Sequence, residues 1–440
     1  MTSFDLGGYV LGGFVAAALL VGCGTSDQNS IGGIPPAGGA AATAHASALA
    51  ARSADTNYKI VYSFAGGSDA ANPYAGVVDA GGTLYGTTAA GGAYPCTGGS
   101  SYGCGTVYSV TAGGTEKILH DFGAGADGGN PRAALLDAGG TLYGTTVSGG
   151  SYACYGSYYS NCGTVFSITR KGTEKVLHSF SGYPADGARP YAALIDVKGT
   201  LYGTTSLGGR GECYYSGEAC GTVFSITKAG TETVLHGFAG HPDGGFPGAG
   251  TIDVKGTLYG TTFSGGKHSF GTVFRIATDG KERVLHSFGA TGDGRNPDAP
   301  LIELQGVLYG TTSGGGAYAC GSRAGCGTVF RLTTGGVETV LHSFGKRTDG
   351  ENPQASLIVL NGTLYGTTLG GGANRCGTNC RGGTIFSITP SGSEKVVHSF
   401  GAAGDGRQPH AGMIAIENTL YGTTLYGGAH DDGTVFALTP

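Results

Sequence analysis

The chain has 440 residues, of which 90 are glycine, 40% are apolar and 12% are charged, and its formal net charge is −5. The glycines follow no Gly-X-Y period, which excludes a collagen, and the apolar residues fall in regular short runs, which excludes a disordered chain. Lys and Arg form no cluster, so the electrostatic signature of a nucleic-acid-binding protein is missing.

The first 57 residues are predicted to be an export signal and a tether. Residues 9–21 are apolar and too short to span a membrane, and the sequence Leu-Val-Gly-Cys at 20–23 resembles the bacterial lipoprotein signal. This resemblance implies that residues 1–22 are removed and that Cys23 carries a lipid. An ordinary signal peptide is the alternative, since the first eight residues contain Asp5 and no basic residue. Residues 23–57 are rich in Ala, Gly, Ser and Pro, which predicts a flexible tether with an end-to-end distance of roughly 30 Å.

A five-residue motif recurs through the rest of the chain. Around each copy lie four runs of four to seven residues, rich in Val, Ile, Thr, Tyr and Phe and bounded by turn residues, which predicts four strands and no helix. The copies lie 50 to 59 residues apart, and a fixed period of this size indicates an array of supersecondary units. The motif Leu-Tyr-Gly-Thr-Thr begins at Leu84, Leu142, Leu201, Leu258, Leu308, Leu364 and Leu420.

Short turns predict that the four strands of a repeat form an antiparallel meander. The first turn places two residues ending in Gly between strands, as at 198–199, and the second does the same at 171–172, a pattern that favours the primed turns of hairpins. We expect the strand that starts near Ala192 to be innermost in its repeat, followed by LYGTT, GTVFSIT and finally VLHSF at the outside. The Gly inside LYGTT is expected to mark the close approach of a side chain from a neighbouring repeat.

The two ends of residues 58–440 complete one repeat between them. Residues 59–64 are an isolated copy of the last strand of a repeat, and the chain ends with the strand at 433–436 that should precede it. An open array would need polar capping repeats instead. The sequence therefore predicts an all-β, seven-bladed β-propeller over residues 58–440, with four antiparallel strands per blade and a last blade completed by the N-terminal strand.

The LYGTT and GTVFSIT motifs are similar to those of the GloVer tandem-repeat proteins, a bacterial family. The resemblance extends over residues 58–440. It implies export and anchoring at the cell surface, and it assigns neither an activity nor a catalytic residue.

Ten of the eleven cysteines lie in close pairs in the loop between the second and third strands. The five loops that contain them have 14 to 16 residues, whereas the two loops without Cys have eight, which favours intraloop disulfides. Each would stabilise the fold by about 2.5 kcal/mol and would require an oxidising compartment. A zinc site is the alternative, but each loop offers only two thiolates and no His. The pairs are Cys96 with Cys104, Cys154 with Cys162, Cys213 with Cys220, Cys320 with Cys326, and Cys376 with Cys380.

Two further positions recur with the repeat. Six His residues share one register in the outermost strand, where Tyr62 takes the seventh place, and we expect a structural role because each lies in a different blade. An Asp stands four residues before a Pro in every repeat, in the loop that we expect to reach the mouth of the channel. Bonding of nearby backbone amides is the expected role, and a ring of carboxylates that binds a cation is the alternative. The registers are His120, His178, His236, His286, His342 and His398, and Asp69, Asp127, Asp186, Asp243, Asp293, Asp349 and Asp405.

The residue after that Pro varies between repeats. A constant frame with variable polar and aromatic tips is typical of a binding surface, although drift at exposed positions gives the same pattern. Arg295, Glu351 and Arg407 stand two residues before the Pro and are added to the predicted ligand-binding set. The variable residues are Tyr74, Arg132, Tyr191, Gly248, Asp298, Gln354 and His410.

The sequence favours a lipid-anchored surface protein that binds a ligand or acts as a scaffold, with a carbohydrate as the expected ligand. The disulfide loops and the Asp-x-x-x-Pro loops should share one face, and the stapled loops supply tyrosines suited to stacking on sugars. A polysaccharide-degrading enzyme that uses Asp298, Glu351 or the Asp ring is the second reading, and a structural envelope protein the third. We predict no cofactor and no metal, and the sequence leaves the oligomeric state open. The loop tyrosines are Tyr94, Tyr102, Tyr152, Tyr155, Tyr158, Tyr159, Tyr214, Tyr215 and Tyr318.

Overall fold

The regular structure is built from antiparallel strands that form seven four-stranded sheets. This arrangement is a seven-bladed β-propeller, which confirms the predicted fold. The predicted signal, tether and lipidated Cys23 lie outside the described residues, and no helix in the described part of the chain is long and apolar enough to cross a membrane. The computed structural model describes residues 57–96, 103–123, 126–154, 162–210, 220–277, 280–320, 325–345, 348–374 and 382–440.

The strands of each blade are named A to D in their order across the sheet, with A innermost, and the blades are numbered 1 to 7. The A strands are Val78–Asp79, Leu136–Ala138, Ile195–Val197, Ile252–Val254, Ile302–Leu304, Ile358–Leu360 and Ile414–Ile416. The B strands are Thr83–Thr88, Thr141–Thr146, Thr200–Thr205, Thr257–Thr262, Val307–Thr312, Thr363–Thr368 and Thr419–Thr424. The C strands are Thr106–Thr111, Thr164–Thr169, Thr222–Thr227, Thr272–Ala277, Thr328–Thr333, Thr384–Ile388 and Thr434–Leu438. The D strands are Glu116–Asp121, Glu174–Ser179, Glu232–Gly237, Glu282–Ser287, Glu338–Ser343, Glu394–Ser399 and, in blade 7, Tyr58–Ser63.

The two turns of a blade differ in geometry. Between strands A and B of blades 1 to 6, both turn residues have positive φ, as at Lys198 (53°) and Gly199 (89°), which confirms a primed two-residue turn. Between strands C and D, the Gly172 amide donates to the Thr169 carbonyl at 2.9 Å, and of the three intervening residues only Gly172 has positive φ. The prediction of a second primed turn is therefore wrong, because a type I turn followed by a left-handed Gly closes this longer loop.

Adjacent blades meet through seven apolar clusters, one at each interface. In the cluster between blades 1 and 2, Phe122 and Phe166 are fully buried, with ring centroids 5.2 Å apart in an edge-to-face contact. The Phe166 ring also lies over Gly144, where an added Cβ would come within 2.5 Å of the ring. The Gly in LYGTT is therefore required by a ring of its own blade, and the predicted contact with a neighbouring blade is wrong, since Gly144 pairs directly with Phe166 across strands B and C.

The two threonines of each LYGTT motif link strand B to strand C of the same blade and to the next blade. In blade 2, the Thr146 hydroxyl lies 2.8 Å from that of Thr164 on strand C, whereas the Thr145 hydroxyl donates to the Ala192 carbonyl of the next blade at 3.2 Å. The same contact closes the ring, because Thr423 of blade 7 donates to the Ala75 carbonyl of blade 1 at 2.8 Å. Strand Tyr58–Ser63 pairs with Thr434–Leu438, as the closure argument predicts.

The B–C loops and the loops that lead from strand D to the next strand A lie on one face, here called the loop face. Short two-stranded ribbons pair the two loop types in every blade, which places them together as predicted. In the described B–C loops, disulfides join Cys96 with Cys104, Cys154 with Cys162, and Cys320 with Cys326. Cys220 is also disulfide-bonded, whereas Cys213, Cys376 and Cys380 lie outside the described residues. The ribbons pair Ala70–Ala71 with Ala90–Gly91, Gly128–Gly129 with Ser148–Gly149, Gly187–Ala188 with Leu207–Gly208, Gly244–Gly245 with Ser264–Gly265, Gly294–Arg295 with Gly314–Gly315, Gly350–Glu351 with Gly370–Gly371, and Gly406–Arg407 with Tyr426–Gly427.

Candidate functional site

A cavity of about 1410 Å³ occupies the centre of the propeller. The variable residue after each Pro lines it in all seven blades, so six blades direct a side chain to a common space and blade 4 contributes Gly248. Two positions after each variable residue, a small residue or a Pro also lines the cavity and leaves its centre open. The first set is Tyr74, Arg132, Tyr191, Gly248, Asp298, Gln354 and His410. The second set is Gly76, Ala134, Ala193, Gly250, Pro300, Ser356 and Gly412.

Four of the variable residues form a continuous aromatic and cationic wall, here called the tyrosine wall. The Arg132 guanidinium lies 4.5 Å from the Tyr74 ring centroid and 5.7 Å from that of Tyr191, within the range of cation–π attraction. The Tyr74 ring in turn meets His410 edge to face at 5.1 Å. Arg132 Nε donates to Asn130 Oδ1 at 2.6 Å, which fixes the guanidinium in this position.

Gly248, Asp298 and Gln354 face the cavity from blades 4 to 6. Asp298 is the one carboxylate among the described lining residues, and burial raises its pKa to about 7. Burial and the nearby Arg132 lower the pKa of His410 to about 4, so this imidazole is neutral near pH 7. A Cβ at Gly248 would lie 2.8 Å from Asp298 Oδ1, so Gly at this position leaves space for the Asp298 carboxyl group.

The other three predicted ligand residues lie outside the cavity. Arg295, Glu351 and Arg407 are the second residues of loop-face ribbons, and none of them lines the cavity. Arg295 stacks on Phe270, with 4.2 Å from the guanidinium to the ring centroid, and Arg407 forms an ion pair with Asp431. Of the two acidic residues predicted for a polysaccharide-degrading enzyme, Asp298 therefore lines the cavity and Glu351 does not.

The His and Asp registers, which the sequence presents separately, meet at six of the seven blade junctions. His178 Nε2 lies 3.2 Å from Asp186 Oδ2, and the other five pairs are separated by 3.0 or 3.1 Å. The Ser181 and Gly187 amides also donate to the Asp186 carboxylate, at 2.8 and 2.6 Å. The Asp side chains therefore bond nearby backbone amides, as expected. The alternative, a ring of carboxylates at the channel mouth, is wrong, because each Asp lies at the start of its loop and contacts the outermost strand.

A glutamate from the next blade completes six of these junctions. Burial, followed by repulsion from the neighbouring Asp, raises the pKa of each glutamate to about 7. Their Oε1 atoms are buried without a hydrogen-bond partner among the described residues, which suits a carboxyl group that keeps its proton. The glutamates are Glu116, Glu174, Glu232, Glu282, Glu338 and Glu394.

Five junctions bring a His, an Asp and a Glu ligand atom within 4.8 Å of one another, the composition of a candidate metal site. The remaining two junctions favour a hydrogen-bonding role. Tyr62 takes the His position and donates to Asp69 Oδ2 at 3.1 Å, and Tyr58 takes the Glu position and donates to Asp405 Oδ1 at 2.6 Å. Because a phenol at either position donates to the Asp of its junction, we interpret the junctions as hydrogen-bonded links between blades.

Three of the predicted stacking tyrosines are described. Tyr94, Tyr152 and Tyr318 are 47%, 54% and 36% exposed, and none of them lines the cavity. The remaining six lie outside the described residues. The tyrosines that meet in the central site are Tyr74 and Tyr191 instead.

Two sequence registers were missed that the structure makes informative. The Glu four residues before each His is one, and its recurrence in six repeats could have identified it. The residue directly before each Pro is the other, since it is Asn in four repeats but Arg189 in the third and Phe246 in the fourth. Both Arg189 and Phe246 line the cavity.

Comparison with known proteins identifies a family. A family described as the Gloeobacter/Verrucomicrobia repeat matches residues 37–213, 153–380 and 319–440, in agreement with the resemblance seen in the motifs. No curated protein sequence matches the chain.

Similar solved structures include three proteins of different kinds. A gluconolactonase of Xanthomonas campestris is 14% identical, over 63% of this chain and 79% of its own, with a TM-score of 0.37. A puromycin-hydrolyzing peptidase of Mycobacterium tuberculosis is 12% identical, over 86% of this chain and 55% of its own, with a TM-score of 0.46. Sqt1 of Saccharomyces cerevisiae is 11% identical, over 87% of this chain and all of its own, with a TM-score of 0.45. At these values the likeness carries no inference about activity.

Proposed function

The chain belongs to the Gloeobacter/Verrucomicrobia repeat family, and we propose that it is a binding protein that takes a carbohydrate into its central cavity. The observation that carries this proposal is the tyrosine wall, in which Arg132 lies between the rings of Tyr74 and Tyr191 on the side of a 1410 Å³ space. Ligand sites are typically concave and largely apolar, with a few well-placed polar groups. The cavity has this composition.

The chemistry of the wall suits a sugar ring. Aromatic rings offer apolar faces to the C–H groups of a pyranose, and the Tyr hydroxyls can exchange hydrogen bonds with its hydroxyls. The guanidinium adds donors in a fixed planar arrangement. Gln354 on the opposite side supplies both a donor and an acceptor.

The proposal includes export and a lipid anchor on Cys23. The three described intraloop disulfides support export, because such bonds persist in oxidising compartments. The anchor rests on the resemblance of residues 20–23 to the lipoprotein signal. Labelled fatty acid should be incorporated into the wild type and not into Cys23→Ser; equal labelling of the two would remove the anchor from the proposal.

The binding test is calorimetric titration of the full chain with neutral and acidic oligosaccharides from bacterial envelopes and plant cell walls. We expect binding that Tyr191→Ala weakens by at least tenfold. Tyr152→Ala is the matched control, because Tyr152 is exposed on a disulfide loop away from the cavity. Circular dichroism confirms the fold of each variant.

Three results would contradict the proposal. They are the absence of binding to every saccharide, an unchanged affinity in Tyr191→Ala, and a loss of affinity confined to Tyr152→Ala, which would place the site on the exposed loops. Release of reducing sugar during the titration would favour the hypothesis of a polysaccharide-degrading enzyme instead.

A further inference from the structure

The residue before each Pro has an unusual backbone conformation, and its identity differs between blades. The residue before each Pro has a left-handed φ in all seven blades, a conformation that Asn tolerates better than other side chains. Asn occupies it in four blades, whereas blade 3 has Arg and blade 4 has Phe. The φ values are 54° at Asn72, 55° at Asn130, 56° at Arg189, 55° at Phe246, 56° at Asn296, 59° at Asn352 and 56° at Gln408.

The Asn side chain also makes a contact between blades. Its amide donates to a backbone carbonyl of the preceding blade, as from Asn130 to Ala89 at 2.8 Å and from Asn296 to Phe263 at 2.9 Å. The Phe246 ring has no donor to make this bond, and an aromatic residue is disfavoured at positive φ. Blade 4 therefore departs from the repeat at a cost in stability, and departures of this kind concentrate at functional sites.

Arg189, Leu207, Phe246, Gly248 and Phe263 line the cavity from blades 3 and 4, and this set is here called the side lobe. The Phe263 amide donates to the Phe246 carbonyl at 3.1 Å, and Leu207 pairs with Ala188, the residue before Arg189. The Phe263 ring is 38% exposed, unusually high for so large an apolar side chain in this protein. Gly248 places no side chain below the lobe, whereas the equivalent residues of blades 1 to 3 are Tyr74, Arg132 and Tyr191. The B–C loop of blade 4 is one of the two short loops without Cys. The side lobe therefore lacks the side chain that the equivalent position supplies in the other six blades.

Cationic side chains outnumber carboxylates among the lining residues that the structure describes. Two guanidinium groups, Arg132 and Arg189, and a single carboxylate, Asp298, lie among the described lining residues. Because burial raises the pKa of Asp298 to about 7, that carboxyl group is partly protonated at neutral pH. His410 adds no charge there, since its pKa is lowered to about 4 by burial and by Arg132. An anionic ligand is favoured over a cationic one.

We propose that the side lobe is a second subsite, which takes a uronic-acid residue of an oligosaccharide whose neighbouring sugar lies on the tyrosine wall. The inference rests on the proposed carbohydrate function and names its ligand class. The rings of Phe246 and Phe263 cover the apolar face of the uronic acid, and Arg189 pairs with its carboxylate in the planar geometry that guanidinium and carboxylate groups share.

The test uses trigalacturonic acid and its fully methyl-esterified form, which has the same shape without the charge. Calorimetric titration of the wild type should show at least tenfold tighter binding of the acid than of the ester. Arg189→Asn should reduce that ratio to about one, and Phe246→Asn should weaken the binding of both probes by tenfold or more.

Both substitutions introduce the residue that the repeat itself uses, so they should not unfold the protein. Thermal unfolding checks that the Phe246→Asn variant stays folded, since the Phe246 ring also packs against the apolar cluster between blades 3 and 4. Gln408→Asn is the matched control, because it introduces Asn at the same register outside the side lobe, and it should leave both affinities unchanged.

The outcomes separate this inference from the proposed function. If acid and ester bind equally well and Tyr191→Ala abolishes both, the cavity binds carbohydrate and the uronic-acid subsite is refuted. An acid-to-ester ratio that survives Arg189→Asn also refutes it. If neither these probes nor any neutral saccharide binds the wild type, both proposals fail.

Discussion

Closure of the ring makes a quantitative prediction about Phe64. This residue follows the N-terminal strand of blade 7, is fully buried, and meets the Tyr108 ring of blade 1 edge to face at 5.0 Å. Phe180 has the equivalent place between blades 2 and 3, fully buried and 5.2 Å from Phe224. If the closing interface is as firmly packed as an internal one, the two Phe→Ala substitutions should have equal effects.

The expected cost of either substitution is about 3–5 kcal/mol, the usual range for a buried Phe that leaves a cavity. Urea unfolding of the two variants and the wild type, followed by circular dichroism, measures it. A cost below about 1 kcal/mol for Phe64→Ala beside the full cost for Phe180→Ala would refute the argument. It would mean that blade 7 remains folded without its N-terminal strand tightly bound.

Three further predictions concern the blade junctions and the repeat motif. The free energy of unfolding should fall as pH rises from about 4.5 to about 7, because the junction glutamates hold protons in the folded state that the unfolded chain has released. Urea titrations at pH 5 and 8 measure this fall, and Glu174→Gln should reduce the difference between the two free energies. His178→Tyr should leave the protein stable, since Tyr62 occupies the same position at its own junction. Asp186→Ala should lower the free energy of unfolding by about 3 kcal/mol or more, because it leaves several donors unpaired. Equal thermal stability of the two variants would contradict the junction interpretation. Gly144→Ala should destabilise the protein by about 1–3 kcal/mol, since its Cβ would meet the Phe166 ring, and an unchanged unfolding midpoint would contradict this account of LYGTT.

The fold could be predicted because each blade repeats the same local signals. The LYGTT motif fixed the number of blades, and the isolated strand at residues 59–64 fixed the closure. The sequence could also place one variable residue per blade in the channel, since Tyr74 and its equivalents follow a loop that ends at the innermost strand. The sequence repeat thus shows which residues occupy equivalent positions in the seven blades.

The contacts within a register were harder to predict. His178 and Asp186 lie eight residues apart in different elements, and the sequence does not show that the loop turns back toward strand D before it runs inward. For the same reason the Asp register was wrongly expected at the channel mouth. Arg189 and Phe246 escaped notice because the special feature of their position is a left-handed backbone, which is evident only from the φ values.

The most direct test of the binding proposal is a crystal structure of the protein grown with a saccharide that binds it in solution. We predict a pyranose ring in the central cavity, packed against Tyr191 and within hydrogen-bond distance of Arg132. A saccharide bound on the outside of the disulfide loops near Tyr152, with the cavity free of it, would contradict the account.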